Sequence, residues 1–320
     1  GYLTGADDLP TITTAVQDEQ KGTGHACACA LEVTGPLSGT VIVTYGDVPL
    51  LQTATLQALA DTHASSGNAV TVLTATVDNP TGYGRIIRDE GGNLLGIVEQ
   101  KDADEAQRAI REINSGVYAF DGAVLTDGLS RLSDANAAGE RYLTDVVGIA
   151  QGDGRRVGSL HAADPVETEG VNDRVQLAEM ARVLNARLVR RAQLAGVTIH
   201  DPATTWIHAD VTIGADTEIL PGTQLQAGTS IGQGCSIGPD TTLTTCTVAD
   251  GASVVRSHAE QATIGAGASV GPFSYLRPGA VLQERTKAGA FVEIKKSTVG
   301  AGSKVPHLSY IGDTTIGAGV

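Results

Sequence analysis

Aliphatic residues recur at every sixth position through much of the second half of the chain: Ile207, Ile213, Ile219, Leu225, Ile231, Ile237 and Leu243. Shifted phases place Ile264, Val270, Leu276 and Leu282, then Val299, Val305 and Ile311, at the same interval. A period of six fits neither the 3.6 of an α-helix nor the 2 of a half-buried strand. It marks a parallel β-helix, in which each hexapeptide forms one short face and one corner of a prism. The aliphatic side chain points into the prism. Gly follows it in Ile213-Gly214, Ile231-Gly232, Ile237-Gly238, Ile264-Gly265, Val270-Gly271, Val299-Gly300 and Ile316-Gly317. Gly is expected there because it tolerates unusual backbone angles at the corners.

The first half follows another pattern. Short β-rich runs, Thr40–Tyr45 and Val70–Val77, alternate with helix-like stretches such as Thr53–His63. That alternation predicts βαβ units and a parallel sheet. Between the halves, Asp173–Ala195 holds no Gly or Pro, and Leu177, Ala181, Leu184, Leu188, Ala192 and Ala195 form one helical stripe. The expected organisation is an α/β domain over 1–172, a long connecting helix over 173–196 and a β-helix over 197–320.

Composition removes several classes of function. The 320 residues carry a net charge of −14, and only 3% are aromatic. A nucleic-acid binder needs a basic face and often stacking platforms, so nucleic acid is not an expected partner. No apolar run approaches the ~18 residues of a spanning helix and no signal pattern opens the chain, which predicts a soluble, cytoplasmic protein with no membrane partner. Cys27, Cys29, Cys235 and Cys246 are too few and too scattered for a disulfide framework. They read as small buried apolar residues.

Two places suggest chemistry. In TYGDVPLL, Asp47 stands at the C-terminal end of a buried strand, where ligands gather in open α/β sheets. A carboxylate there suits Mg2+ beside a nucleotide phosphate, although a turn-capping Asp fits the spacing equally well. Farther on, four of the six lysines (Lys287, Lys295, Lys296, Lys304) fall within 18 residues, joined by Arg277 and Arg285. An acidic chain that concentrates its cations in this way has the makings of an anion site.

The motifs QDEQKGTGHA, YGDVPL, NPTGYGRI, GIVEQKDA, EINSGVY, YLTD and EGVNDR occur in order through the first half, and GPFSYLRPGA, FVEIKKS and KVPHLSYIGD through the second. Together they resemble the bacterial bifunctional N-acetylglucosamine-1-phosphate uridyltransferase/glucosamine-1-phosphate acetyltransferase family, along essentially the whole chain. The resemblance implies a Rossmann-like nucleotidyltransferase domain with a mixed or parallel sheet, joined by the long helix to a left-handed parallel β-helix of hexapeptide repeats. It implies that Gln17, Gly22 and Thr23 contact uracil, and that Tyr45, Gly46 and Asp47 lie by the phosphates. Gly84, Glu99 and Asn114 would hold the amino sugar with Tyr142 and Thr144 nearby, and Asp47 and Asn172 would ligate Mg2+. In the β-helix, Arg277 and Lys295 would bind the phosphate of glucosamine-1-phosphate and Tyr310 would touch the same substrate. His307 would be the general base, for which a pKa near neutrality suits it, with Glu293 orienting it. UTP and acetyl-CoA are the implied co-substrates, and a homotrimer the implied assembly.

The family pattern also includes a Gly-rich loop with Arg and Lys ahead of Gly1, and an Asn with further coils after Val320. Residues 1–320 therefore read as an internal piece of a longer protein, expected by itself to have neither activity at a useful rate. Two alternatives compete with the bifunctional reading: a nucleotide-sugar pyrophosphorylase with a purely structural β-helix, and a non-catalytic regulatory or scaffold subunit.

Overall fold

The computed structural model describes residues 12–320; the first eleven residues of the expected N-terminal domain lie outside them. The chain divides into two compact units, the first ending at Leu177 and the second running Ala178–Val320.

The first unit contains β1 (Thr40–Val43), β2 (Val70–Thr76), β3 (Arg85–Arg88), β4 (Leu94–Val98), β5 (Glu112–Asp121) and β6 (Val157–His161). Its helices are α1 (Thr23–Thr34), α2 (Thr53–Ser66), α3 (Glu105–Arg108), α4 (Gly122–Ser130) and α5 (Asp145–Gly152). Strand side chains alternate between faces, so both faces of the sheet carry an apolar core. Val70, Val72, Tyr118 and Phe120 pack with Leu125, Leu129, Val146 and Val147 of α4 and α5 on one face. Leu73, Ala75, Ile113, Val117 and Ala119 pack with Leu59 of α2 on the other.

The sheet is mixed, one of the two forms that the resemblance implied, and the parallel sheet read from the alternation of elements is corrected here. The strand order is β4-β3-β5-β2-β6 with β1 also on β5, and only β2·β6 is a parallel pair among these six strands. The long strand β5 runs antiparallel to β1, β2 and β3. Strand direction is decided by these long-range pairings, which a local alternation of elements does not encode.

One feature of β5 positions the site. Its register with β2 steps from Val72↔Tyr118 to Thr74↔Asn114, so Ser115–Val117 bulge opposite Leu73. Gly116 takes φ +79° in this bulge, and Ser115 Oγ donates to the Leu73 carbonyl at 2.7 Å. Bulges re-aim neighbouring side chains and are frequent beside active sites. Off its other edge, β5 pairs with β3 at Ile113 and with β1 from Tyr118 onward. The stretch between these two partners opens the sheet edge.

Helix α6 (Arg174–Leu194) crosses the division between the units and lies within two residues of the expected helix at each end. The buried stripe differs: Met180, Asn185, Leu188 and Val189 are buried with Ala192 partly so, while Leu177 and Leu184 are exposed. Asn185 faces inward because the first coil has open backbone groups. Its side chain donates to the Thr205 carbonyl at 2.8 Å and accepts from Ile207 N–H at 3.0 Å. A polar residue therefore occupies a position that a purely apolar stripe misses.

Beyond α6 the chain winds into three parallel sheets of seven two- or three-residue strands. The hexad aliphatics stack in register inside, as in Ile219↔Ile237 and Leu225↔Leu243. Each fully buried one contributes about 1.5–3 kcal/mol. The phase shifts of the repeat have a simple cause. Corners at Thr245, Arg256, Gln261, Lys296 and Asp313 are one residue shorter, and the internal positions continue through Val248, Val254 and Ala259.

The backbone-angle reason for the repeated glycines holds at Gly238 (φ +107°) and Gly271 (φ +103°) and needs correcting at four others. Gly214, Gly232, Gly265 and Gly300 are not in the left-handed region. They are needed because successive coils approach closely: a Cβ on Gly214 would sit 2.6 Å from the Gly232 backbone, and one on Gly300 2.4 Å from Gly317. Positive φ falls on later corner residues such as Asp216, Phe273, Phe291 and Leu308. A small buried residue follows Asp216 and Phe273, and its hydroxyl meets a carbonyl: Thr217 Oγ1 donates to Gly232 O at 2.8 Å and Ser274 Oγ to Gly289 O at 2.6 Å. Cys235 and Cys246 fill two of these small buried positions.

Candidate active sites

A pocket of about 330 Å³ in the first unit gathers Tyr45, Asp47, Gly84, Glu99, Asn114 and Asn172 from segments far apart in sequence. Its floor is the β5 bulge. Asn114 Oδ1 accepts from Gly116 N–H at 3.0 Å and its amide donates to the buried Tyr118 hydroxyl at 2.6 Å, which fixes the carboxamide. The Tyr45 ring lies where a side chain at position 116 would stand. Burial, and then the nearby Glu99 carboxylate, push its hydroxyl up to about 12.

Asp47 and Asn172 meet on one wall. Val171 N–H donates to the Asp47 carbonyl at 2.9 Å, and a Cβ on Gly170 would be 3.5 Å from Asp47 Oδ2. Asn172 precedes α6 but does not cap it. Asp173 Oδ1 accepts from Gln176 N–H at 2.8 Å and takes that role. Neither the Asp47 carboxylate nor the Asn172 carboxamide has a hydrogen-bond partner among the described residues. Two uncommitted hard oxygens are a donor set that fits Mg2+, which takes one or two protein oxygens along with phosphates and waters.

The remaining first-unit candidates sit around this pocket. Gln17 Nε2 donates to Gly22 O at 3.1 Å, while Thr23 Oγ1 accepts from Leu143 N–H at 3.1 Å. Thr144 Oγ1 donates to Glu99 Oε1 at 3.1 Å. Tyr142 lies among Asp102, Glu140 and Glu99, its hydroxyl pushed up chiefly by burial. Gly46 has open space around it and does not line the pocket. Tyr83, Ser115, Gly116, Thr168 and Gly170 line it without having been expected to. Gly116 alone had a readable signal, an isolated Gly within a strand.

Burial holds the Glu99 carboxyl above its usual value of 4.5, with Asp145, Asp102 and Glu140 adding to the effect and Thr144 opposing it. A raised carboxyl pKa favours the folded state below the unfolded value, and that advantage is lost as pH rises through the folded value. Glu99→Gln is therefore expected to raise Tm by about 1–3 °C at pH 7.5, with the gain vanishing below about pH 4. Thermal unfolding across pH checks this, and a gain independent of pH contradicts it.

In the second unit, Tyr275, Glu293 and Tyr310 stack in register on successive coils, and Lys295 stands level with Gly312. Arg277 Nη1 bonds Glu293 Oε1 at 2.9 Å, and Lys295 Nζ bonds Asp313 Oδ2 at 3.2 Å. Within this chain the Glu293 carboxylate accepts from Arg277 and makes no hydrogen bond to the imidazole of His307. The latter is exposed at a corner, and its imidazole has no partner among the described residues.

Comparison with known proteins fits both halves. A family model for nucleotidyl transferases matches residues 3–164, and one for the bacterial transferase hexapeptide (six repeats) matches residues 205–245. Proteins named bifunctional protein GlmU are similar along nearly all of the chain. That of Corynebacterium aurimucosum is 56% identical over 306 residues, 96% of this chain and 63% of its own. That of Kineococcus radiotolerans is 56% identical over 313 residues, 98% and 64%. That of Mycobacterium tuberculosis is 57% identical over 308 residues, 96% and 62%. The chain spans a little under two thirds of the length of these relatives. Among the described residues no helix is long and apolar enough to cross a membrane. With its sheet-edge pocket in one unit and its stacked hexapeptide coils in the other, the chain belongs to the nucleotidyl transferase family.

Proposed function

We propose that the protein acts in the cytoplasm as a bifunctional enzyme of UDP-N-acetylglucosamine synthesis. It acetylates glucosamine-1-phosphate with acetyl-CoA, then transfers UMP from UTP to N-acetylglucosamine-1-phosphate and releases pyrophosphate. The observation that carries this reading is the convergence of Tyr45, Asp47, Gly84, Glu99, Asn114 and Asn172 on one pocket. The pocket lining includes two carboxylates and no Lys or Arg among the described residues. Such a lining suits a polyhydroxylated sugar and a divalent cation.

In uridylyl transfer, a phosphate oxygen of the sugar phosphate attacks the α-phosphorus of UTP in line. The bond to the bridging oxygen breaks, and pyrophosphate leaves with the electron pair. Catalysis of this kind is mostly positioning and charge neutralisation. Gln17, Gly22 and Thr23 hold the uracil, while Gly84, Glu99, Asn114 and Thr144 hold the amino sugar beside Tyr142. Asp47 and Asn172 hold Mg2+, which when bound neutralises phosphate charge. Tyr45 and Gly46 shape the phosphate side.

In acetyl transfer, His307 takes the proton from the sugar amine as nitrogen attacks the thioester carbonyl; the C–S bond then breaks, and CoA leaves with the electron pair and is protonated to the free thiol. Arg277, Lys295 and Tyr310 bind the sugar phosphate. A homotrimer through the β-helix is supported by an exposed apolar ridge at one corner, where Phe273 stacks on Phe291 at 5.2 Å with Leu308 on the next coil.

Pyrophosphate release requiring both UTP and N-acetylglucosamine-1-phosphate, together with CoA release requiring glucosamine-1-phosphate, tests the reading on the whole protein. Lys295→Ala is expected to raise KM for glucosamine-1-phosphate on the order of 10–10²-fold, the worth of one charged hydrogen bond, and to leave uridylyl transfer unchanged. An unaltered KM would remove the phosphate role.

A further inference from the structure

Glu167 is 4% exposed, lies outside the proposed ligand sets and directly precedes Thr168, which lines the pocket. Its carboxylate accepts from Gln52 Nε2 and, at 2.5 Å, from Thr55 Oγ1. Both donors are neutral. Keeping a carboxylate buried on neutral donors is costly compared with an apolar residue, so its placement calls for a reason. The two segments it joins supply one. Gln52 and Thr55 open α2, immediately after the loop that carries Asp47. Helix α2 has neither a side-chain cap nor an acid in its first turn, and a negative charge at its positive end is favoured there. Glu167 belongs to the 3-10 turn Pro165–Thr168, which leads directly into Gly170–Asn172. The Val171–Asp47 backbone bond at 2.9 Å ties the same two segments a second time.

We propose that Glu167 is a positioning residue: by clamping the 165–168 turn to the start of α2, it sets the spacing of Asp47 and Asn172 for a divalent cation. The inference rests on the metal reading proposed for those two residues and adds the device that holds them. Groups that orient metal ligands typically govern affinity by about 10–100-fold.

The test uses Mn2+ as the probe, titrated into the protein saturated with UDP-N-acetylglucosamine and followed by the EPR signal of the free ion. Glu167→Gln is expected to weaken Mn2+ binding about 10-fold while the metal-free affinity for UDP-N-acetylglucosamine stays unchanged, a separation that general loosening of the fold would not give. Gln52→Ala, at an exposed residue, should weaken Mn2+ in the same direction and carries the test if Glu167→Gln does not fold. Folded variants that bind Mn2+ like the parent, while Asp47→Ala binds it more weakly, would overturn the clamp and leave the metal site standing. If Asp47→Ala also binds Mn2+ like the parent, the metal site fails and the clamp with it.

Discussion

Asp47→Ala is expected to lower uridylyl transfer by on the order of 10²–10³-fold, the usual cost of losing one preorganised charged group at a site where charge develops. Asp47 is the charged member of the proposed ligand pair, and its carboxylate has no competing partner among the described residues. Asn172→Ala should cost less, because it removes a neutral oxygen from the same wall. Raising Mg2+ should recover part of the Asn172→Ala deficit, since the carboxylate still draws the ion, and little of the Asp47→Ala deficit. Both residues are exposed, so either change should move folding stability by no more than about 0.5 kcal/mol. Pyrophosphate release measured against Mg2+ concentration, with a thermal melt beside it, separates catalytic loss from unfolding. Full activity of Asp47→Ala at ordinary Mg2+ would remove the metal assignment.

The β-helix was the most legible part of the chain because its period is enforced locally. Each hexad must deliver one aliphatic inward, and Ile219, Leu225, Ile231 and Ile237 do so in order. What the pattern did not reveal was how coils approach one another. The glycines after the aliphatics looked like concessions to backbone angle, which Gly238 and Gly271 are, yet Gly214 and Gly300 are excluded from having a Cβ by the coil beside them. Corner shortening at Gln261 or Lys296 was visible only as a lost phase. In the first unit, helix α2 and strands β1 and β2 were readable from composition, but the reversal of β5 was not, because pairing direction resides in contacts distant in sequence.

The site candidates divide along the same line. Spacing alone left Asp47 open between a metal ligand and a turn residue. The other members of the pocket came from resemblance, because Gly84, Asn114 and Asn172 converge only after the sheet is assembled. Glu293, which the resemblance sets beside His307, also meets Arg277 within the chain, a contact that no local pattern signals. Glu167 carried no local signal at all: its importance lies in joining two segments more than a hundred residues apart.

Gly116→Ala should damage the pocket through Tyr45, at a position that has no proposed ligand role of its own. Gly116 sits in the β5 bulge at φ +79°, where a β-carbon costs about 1 kcal/mol. That added carbon would also fall 1.8 Å from Cε2 of Tyr45. No relaxation of a few tenths of an ångström relieves such an overlap, so the Tyr45 ring must leave its place or the bulge must move. Tyr45 is 37% exposed and its ring can turn outward, so the overlap costs toward the lower end of the about 1–3 kcal/mol of overpacking, and the expected destabilisation is about 2–3 kcal/mol. Uridylyl transfer should fall with it, because the ring borders both Asp47 and Glu99 in the pocket. The cause can be isolated by a double-mutant cycle on unfolding free energy. Combined with Tyr45→Ala, the clash is gone and Gly116→Ala should cost only the backbone part, leaving a coupling of about 1–2 kcal/mol between the two positions. Additive losses would mean that the strain comes from the bulge itself. A stable, fully active Gly116→Ala would mean that the close contact of bulge and ring is not what holds Tyr45 in the site.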